Sequence, residues 1–114
     1  NVTIINESHA KIDSFVKEQI NCVCYNLGYL PGGDKNITTL AESSLESIKK
    51  SLDLLTSNGI ISIAIYRGHN EGKDEENCII NFAKNLPKSK YGVMIHECIN
   101  RSSTSPLLMI IEKK

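Results

Sequence analysis

Tryptophan is absent from this sequence, and aromatic residues make up only 5% of it. No apolar run approaches the roughly 20 residues that a membrane-spanning helix needs. The first residues carry no signal-peptide pattern, so the expected location is the cytoplasm, with no membrane partner. Charge of one sign is not in excess: 13 Lys and Arg balance 13 Asp and Glu. No global basic field therefore advertises a nucleic-acid partner, which leaves room only for a local patch. Through Ser57 the balance is five basic against seven acidic residues, and beyond it eight against six, so the weak basic lean sits in the second half. Four cysteines are present without a C-x-x-C pair. That spacing argues against zinc, and a cytosolic setting argues against a disulfide framework, leaving free thiols that act as small buried or half-buried hydrophobes. Internal repeats and low-complexity tracts are also missing.

What is there suits one domain. The chain has 114 residues, 40% of them hydrophobic, enough for a single core and too few for two. It starts at Asn1, directly on a strand-like run, which leads to the expectation that a segment precedes it.

Val2 to Ile5 is a β-branched run and reads as the first strand. Ser8 can cap a helix with Ile12, Phe15 and Val16 on one face. A strand from Ile20 to Tyr25 delivers a polar Asn26 to a loop rich in Gly and Pro. Thr39 and Glu42 have capping-box spacing, and behind them Ala41, Leu45, Ile48, Leu52 and Leu55 form a helical stripe that Asn58-Gly59 ends. Ile60 to Tyr66 has almost no polar interruption, as expected of a strand covered on both faces. Acidic residues from Glu71 to Glu76 open a helix with Ile79, Phe82, Ala83 and Leu86 inward, stopped by Pro87. Two further strands, Tyr91 to Ile99 and Leu107 to Ile111, have a connection too short for a crossover helix and should be antiparallel.

The order β-α-β-α-β-α-β-β implies an α/β fold, a doubly wound, mostly parallel sheet with helices on both faces and a C-terminal antiparallel strand pair. Class I methyltransferases close their Rossmann-like sheet with just such a reversed last strand. In open sheets of this kind ligands bind outside the carboxyl ends of the strands, so the loop after Asn26 is the candidate site.

The loop Asn26-Leu27-Gly28-Tyr29-Leu30-Pro31-Gly32-Gly33-Asp34-Lys35, with Tyr66-Arg67-Gly68-His69, Gly72, Glu75, Asn100 and Pro106, resembles the YtqB-type rRNA methylase family from end to end. The ten-residue loop is far more specific than a lone glycine pattern. The resemblance implies an enzyme, an S-adenosylmethionine-dependent RNA methyltransferase of the kind that N-methylates the aminomethyl group of a tRNA wobble 2-thiouridine. An rRNA methyltransferase, or a non-catalytic α/β remnant used in assembly or nucleic-acid binding, is the alternative. The implied partner is RNA, with the tRNA anticodon region first, and the fold leaves a homodimer open.

The resemblance also assigns residues. Asn26 to Tyr29 stands where amino-methyltransferases carry an Asn/Asp-Pro-Pro-aromatic motif, which makes Asn26 and Tyr29 the catalytic pair, with Leu27-Gly28 in place of the prolines. The Asn oxygen would accept hydrogen bonds from the target amine, and Tyr29 would stack on the base. A plain strand-end turn with a packed aromatic is the other reading. Ser8, His9 and Asn26 are implied on the cofactor side, with an N-cap and a surface His as the alternative for the first two. Gly32, Gly33, Asp34, Lys35 and His69 are implied on the substrate side, against ordinary solvated charges and a helix-entry His. A phosphate loop is excluded, since the spacing is not G-x-x-x-x-G-K-[ST]. No metal is implied.

In the resembled fold the sheet runs third, second, first, fourth, fifth, seventh, sixth, and this chain would start at the third strand, as the C-terminal two-thirds of a methyltransferase domain. The edge at Cys22 to Tyr25 would then stand unpaired. Negligible cofactor binding by this polypeptide alone, little activity, and self-association through that edge are the expectations.

Overall fold

The computed structural model describes residues 2–6, 9–27, 41–66, 70–102 and 105–114, the side chains of residues 41 and 70–75 excepted. A short 3-10 turn (His9–Lys11) runs into α1 (Ile12–Phe15); then come β1 (Ile20–Leu27), α2 (Ala41–Leu54), β2 (Leu55–Ile65), α3 (Asn70–Lys84), β3 (Tyr91–His96) and β4 (Leu107–Lys113). The four strands form one sheet in the order β1-β2-β4-β3. β1 and β2 are parallel, whereas β4 is antiparallel to both β2 and β3. This is the fourth, fifth, seventh, sixth portion of the order that the resemblance implies, with the reversed last strand in place.

Period-two alternation sorts the side chains. Ile61, Ile63 and Ile65 of β2, and Leu107, Met109 and Ile111 of β4, are buried on one face, where Tyr25 and Leu27 of β1 join them. Ile48 and Leu52 of α2, with Ile79 and Ala83 of α3, close that face. Each of these large side chains contributes roughly 1.5–3 kcal/mol on burial, so this single layer holds most of the stability.

The opposite face differs from expectation. Ile60 and Leu108 are 39% and 37% exposed and Met94 is half exposed, so β2 is covered on one face rather than two. The sheet advances from β1 through β2 toward β3 in one direction, and right-handed crossovers in one direction put both helices on the same side. The cysteines follow from this. Cys22 and Cys24 point to the open face and are exposed, Cys98 is exposed in the β3–β4 connection, and only Cys78 is half-buried, which corrects the reading of all four as buried or half-buried.

Val2 to Ile5 forms no strand, and Val2 and Ile4 are 87% and 90% exposed. The implied sheet order seats this run three places from β1, with two strands between, so it has no adjacent ladder to join among the described residues, and an unpaired four-residue run gains nothing from its β propensity. Leu55, expected as the last turn of α2, starts β2 instead. Between Ile20↔Leu55 and Cys22↔Ile60 the register slips, five steps along β2 answering two along β1, and this bulge holds Asn58 at φ 67° beside Gly59. Asn58 was expected as the cap that ends α2 and instead lies inside β2, and Asn tolerates the left-handed conformation better than most side chains. Lys113 of β4 caps the end of α2, its Nζ donating to the Leu52 and Leu55 carbonyls at 2.8 and 2.9 Å.

Candidate functional site

The carboxyl ends of the parallel pair are the place to look. The β1–β2 ladder continues past its last Cα pair, the Tyr66 amide donating to the Leu27 carbonyl at 3.0 Å. Both strands end here, β1 at Leu27 and β2 at Ile65. Asn26 lies one residue before the end of β1, opposite Ala64, and its side chain is exposed on the open face. Ala64 is small, so nothing large beside Asn26 on β2 obstructs an approaching molecule. An exposed carboxamide on a rigid strand offers one acceptor oxygen and two donor hydrogens in a fixed place.

His9 is also described, and it lies elsewhere. Its ring sits edge-on to Tyr25, centroids 6.0 Å apart, and Nε2 is 3.4 Å from the Ser43 hydroxyl of α2. Tyr25 belongs to the helix-covered face and Asn26 to the open one, so adjacent residues of β1 send these two groups to opposite sides. The segment carrying His9 is tied to α2 by Lys50, which donates to the Ala10 carbonyl at 2.6 Å and pairs with Asp13 and Glu46 at 3.2 Å each. Glu46 first, then Asp13, holds the Lys50 ammonium above its ordinary pKa. Ser8, Tyr29, Gly32, Gly33, Asp34, Lys35 and His69 lie outside the described residues.

Burial lowers the His9 pKa below its ordinary 6.5. The folded chain therefore resists a proton that the unfolded chain accepts. Stability from this group is complete above about pH 6.5 and is lost as pH falls through the lowered folded value. Chemical denaturation between pH 7.5 and 5 should show that loss, and His9→Gln should flatten it; an equal slope in the variant would assign the acid sensitivity to other groups.

One network behind the site had no motif to announce it. The Tyr25 hydroxyl is 2.7 Å from Ser47 Oγ and 2.6 Å from Ser51 Oγ, and both serines are fully buried on α2. The available signal was a row of serines at positions 44, 47 and 51, spaced by three and four along the apolar stripe. Their small size lets α2 settle onto β1, and the phenol then satisfies the Ser47 and Ser51 hydroxyls. Tyr25→Phe is expected to cost about 1–2 kcal/mol in urea unfolding, since it strands two buried hydroxyls without changing the packed volume. A change below a few tenths would mean that the serines bond to backbone carbonyls instead.

Known proteins of the same shape can now be set beside this geometry. The sequence matches the family model described as "Putative rRNA methylase" over residues 1–112. It is 34% identical over 115 aligned residues to the Arabidopsis thaliana "tRNA (mnm(5)s(2)U34)-methyltransferase, chloroplastic", covering 99% of this chain and 42% of that protein. Among solved structures, the "putative rRNA-methylase" from Clostridium thermocellum superposes with a TM-score of 0.94 at 34% identity, over 98% of this chain and 60% of that one. A "putative methyltransferase" from Streptococcus mutans, solved in complex with SAH, superposes at 0.86 and 34% identity, over 95% of this chain and 58% of that one. The chain thus spans less than half of the curated relative and about three fifths of these solved ones. Matched along nearly its whole length by sequence and by shape, it belongs to the rRNA methylase family.

Proposed function

We propose that this chain is the acceptor-side part of an S-adenosylmethionine-dependent RNA methyltransferase that N-methylates the aminomethyl group of a 2-thiouridine at the tRNA wobble position. The observation that carries the reading is Asn26, exposed at the carboxyl end of the β1–β2 pair in a chain that matches the family along 1–112. The name of the Arabidopsis relative and the SAH in the Streptococcus relative supply the substrate class and the cofactor.

S-adenosylmethionine, when bound, supplies an electrophilic methyl group on its sulfonium. The chain's own task is then to present an uncharged amine. The Asn26 side-chain oxygen accepts a hydrogen bond from that amine and aims its lone pair, and the strand beneath keeps the oxygen fixed. Positioning of this kind needs little acid-base chemistry and lowers the barrier through orientation. In the same reading Tyr29 stacks on the base, Ser8 and His9 serve the adenine end of the cofactor, and Gly32, Gly33, Asp34, Lys35 and His69 line the RNA side.

The test is methyl transfer, by a protein that joins this chain to a cofactor-binding part, from labelled cofactor to tRNA with and without 5-aminomethyl-2-thiouridine, followed by mass spectrometry of the nucleosides. The expected product is that nucleoside one methyl heavier, and only in the first tRNA. Label found in rRNA alone would move the substrate. Cofactor binding without transfer to either RNA would favour the non-catalytic alternative.

A further inference from the structure

The helix-covered face holds a groove at its β3 side that methyl transfer does not use. α3 ends at Lys84 and β3 begins at Tyr91, and the turn between them is closed by the Lys90 and Tyr91 amides, both donating to the Pro87 carbonyl at 3.0 Å. The gap between helix and strand encloses about 410 Å³, within the roughly 300–1,000 Å³ of small-molecule sites. Its floor is Ala83 and Met109, 3% and 0% exposed. Tyr91, Val93 and Ile95 form one wall, paired with Lys113, Ile111 and Met109 of β4 and so on the helix side of the sheet. That wall opens along its length, Tyr91 and Val93 being half-buried and Ile95 46% exposed. The sheet order that the resemblance implies adds its remaining strands beyond β1, at the opposite side of the sheet, and α2 and α3, which cover this face, belong to this chain.

Charge decides what the groove can hold. Lys84 on α3 and Lys88 in the turn line it, and no carboxylate among the described residues does. Neither ammonium has an ion-pair partner among the described residues, whereas Lys50 has two. The Tyr91 hydroxyl has no hydrogen-bond partner among them either. A free phosphate would leave the apolar floor in water, and a cation would be repelled. A molecule with an apolar body and one anionic group satisfies both the floor and the lysines.

We propose that this groove binds a small amphipathic carboxylate, its apolar body over Ala83 and Met109 and its carboxylate against Lys84 and Lys88. Charge-assisted hydrogen bonds hold the anionic end, while the body takes the floor and the Ile95 side chain out of water. Neither Asn26 nor the carboxyl ends of β1 and β2 take part, so the site stands or falls independently of the methyltransferase reading.

The experiment is calorimetric titration of decanoate into a protein that joins this chain to a cofactor-binding part, kept saturated with S-adenosylhomocysteine, with circular dichroism to verify that each variant is folded. One decanoate per chain is expected. Lys84→Glu and Lys88→Glu should each weaken binding about tenfold, since attraction at a few ångströms turns into repulsion, while Lys90→Glu, outside the groove, should stay within about twofold. Ile95→Glu, at an exposed position of the wall, should also weaken it. Decyltrimethylammonium, the same chain with the opposite charge, should not bind. No saturable binding, equal binding of the two amphiphiles, or a loss in Lys90→Glu as large as in Lys84→Glu would each overturn the proposal. So would displacement of decanoate by tRNA, which would give the groove to RNA, or a dimer that Ile95→Glu splits in sedimentation, which would give it to a second copy.

Discussion

In a protein that joins this chain to a cofactor-binding part, Asn26→Ala is expected to lower methyl transfer about 10²-fold at saturating RNA while leaving cofactor affinity within about threefold, because on the proposed reading the side chain aims the acceptor and does not hold the donor. The structure makes this a clean substitution. Asn26 is exposed, its strand is registered to β2 through Leu27↔Ile65, and removal of the carboxamide takes nothing from the core. Asn26→Asp keeps an acceptor oxygen in the same place and should retain more activity than the Ala variant, which a merely bulky role would not explain. Single-turnover transfer separates orientation from product release, and calorimetric titration reads the cofactor alone. Equal turnover in Asn26→Ala and the native protein would remove Asn26 from the reaction. A loss confined to cofactor affinity would move it to the donor side.

Gly59→Ala should be the most damaging single methyl group in the described residues for stability. Gly59 is buried in the β2 bulge, and a Cβ built there would lie 2.6 Å from Leu55 Cγ, 2.8 Å from Leu55 Cδ1 and 2.8 Å from the Thr56 carbonyl oxygen. Leu55 is itself only 1% exposed and packed in the core, and the carbonyl is backbone, so neither obstacle can swing aside. Overpacking of this kind costs about 1–3 kcal/mol, and the backbone clash favours the upper end. Because the bulge resets the β1–β2 register, relief of the clash would also disturb the strands that position Asn26. Urea unfolding measures the loss. Asn58→Gly provides the control: at φ 67° glycine is at ease, and that variant should stay within about 0.5 kcal/mol of the native chain. A Gly59→Ala protein as stable as the native one would show that the bulge repacks freely.

Much of the scaffold was legible because local pattern and tertiary need agreed. The stripe of Ile48 and Leu52, the alternation through Ile61, Ile63 and Ile65, the inward Ile79 and Ala83, and the short link before Leu107 each pointed to the element that formed. Residue identity at the end of β1 singled out Asn26, and the structure leaves that side chain exposed at the carboxyl end of the strand. Val2 to Ile5 failed for a definite reason: β propensity describes how a side chain fits a sheet, and no strand among the described residues lies beside it to receive it. The cysteines failed similarly, because period-two alternation tells which residues share a face and leaves open which face a helix will cover.

From β1 onward the sequence by itself thus determined the elements, their α/β order, the reversed last strand and the loop that marks the family, all of which rest on local periodicity and residue type. Only the tertiary structure decided the rest. Crossover handedness put α2 and α3 on one face and left Cys22, Cys24 and Asn26 on the other. The same layering brought Tyr25 against Ser47 and Ser51, and His9 against Tyr25 and away from Asn26. These are relations between residues far apart in the chain, set by which surfaces pack, and no local pattern encodes them.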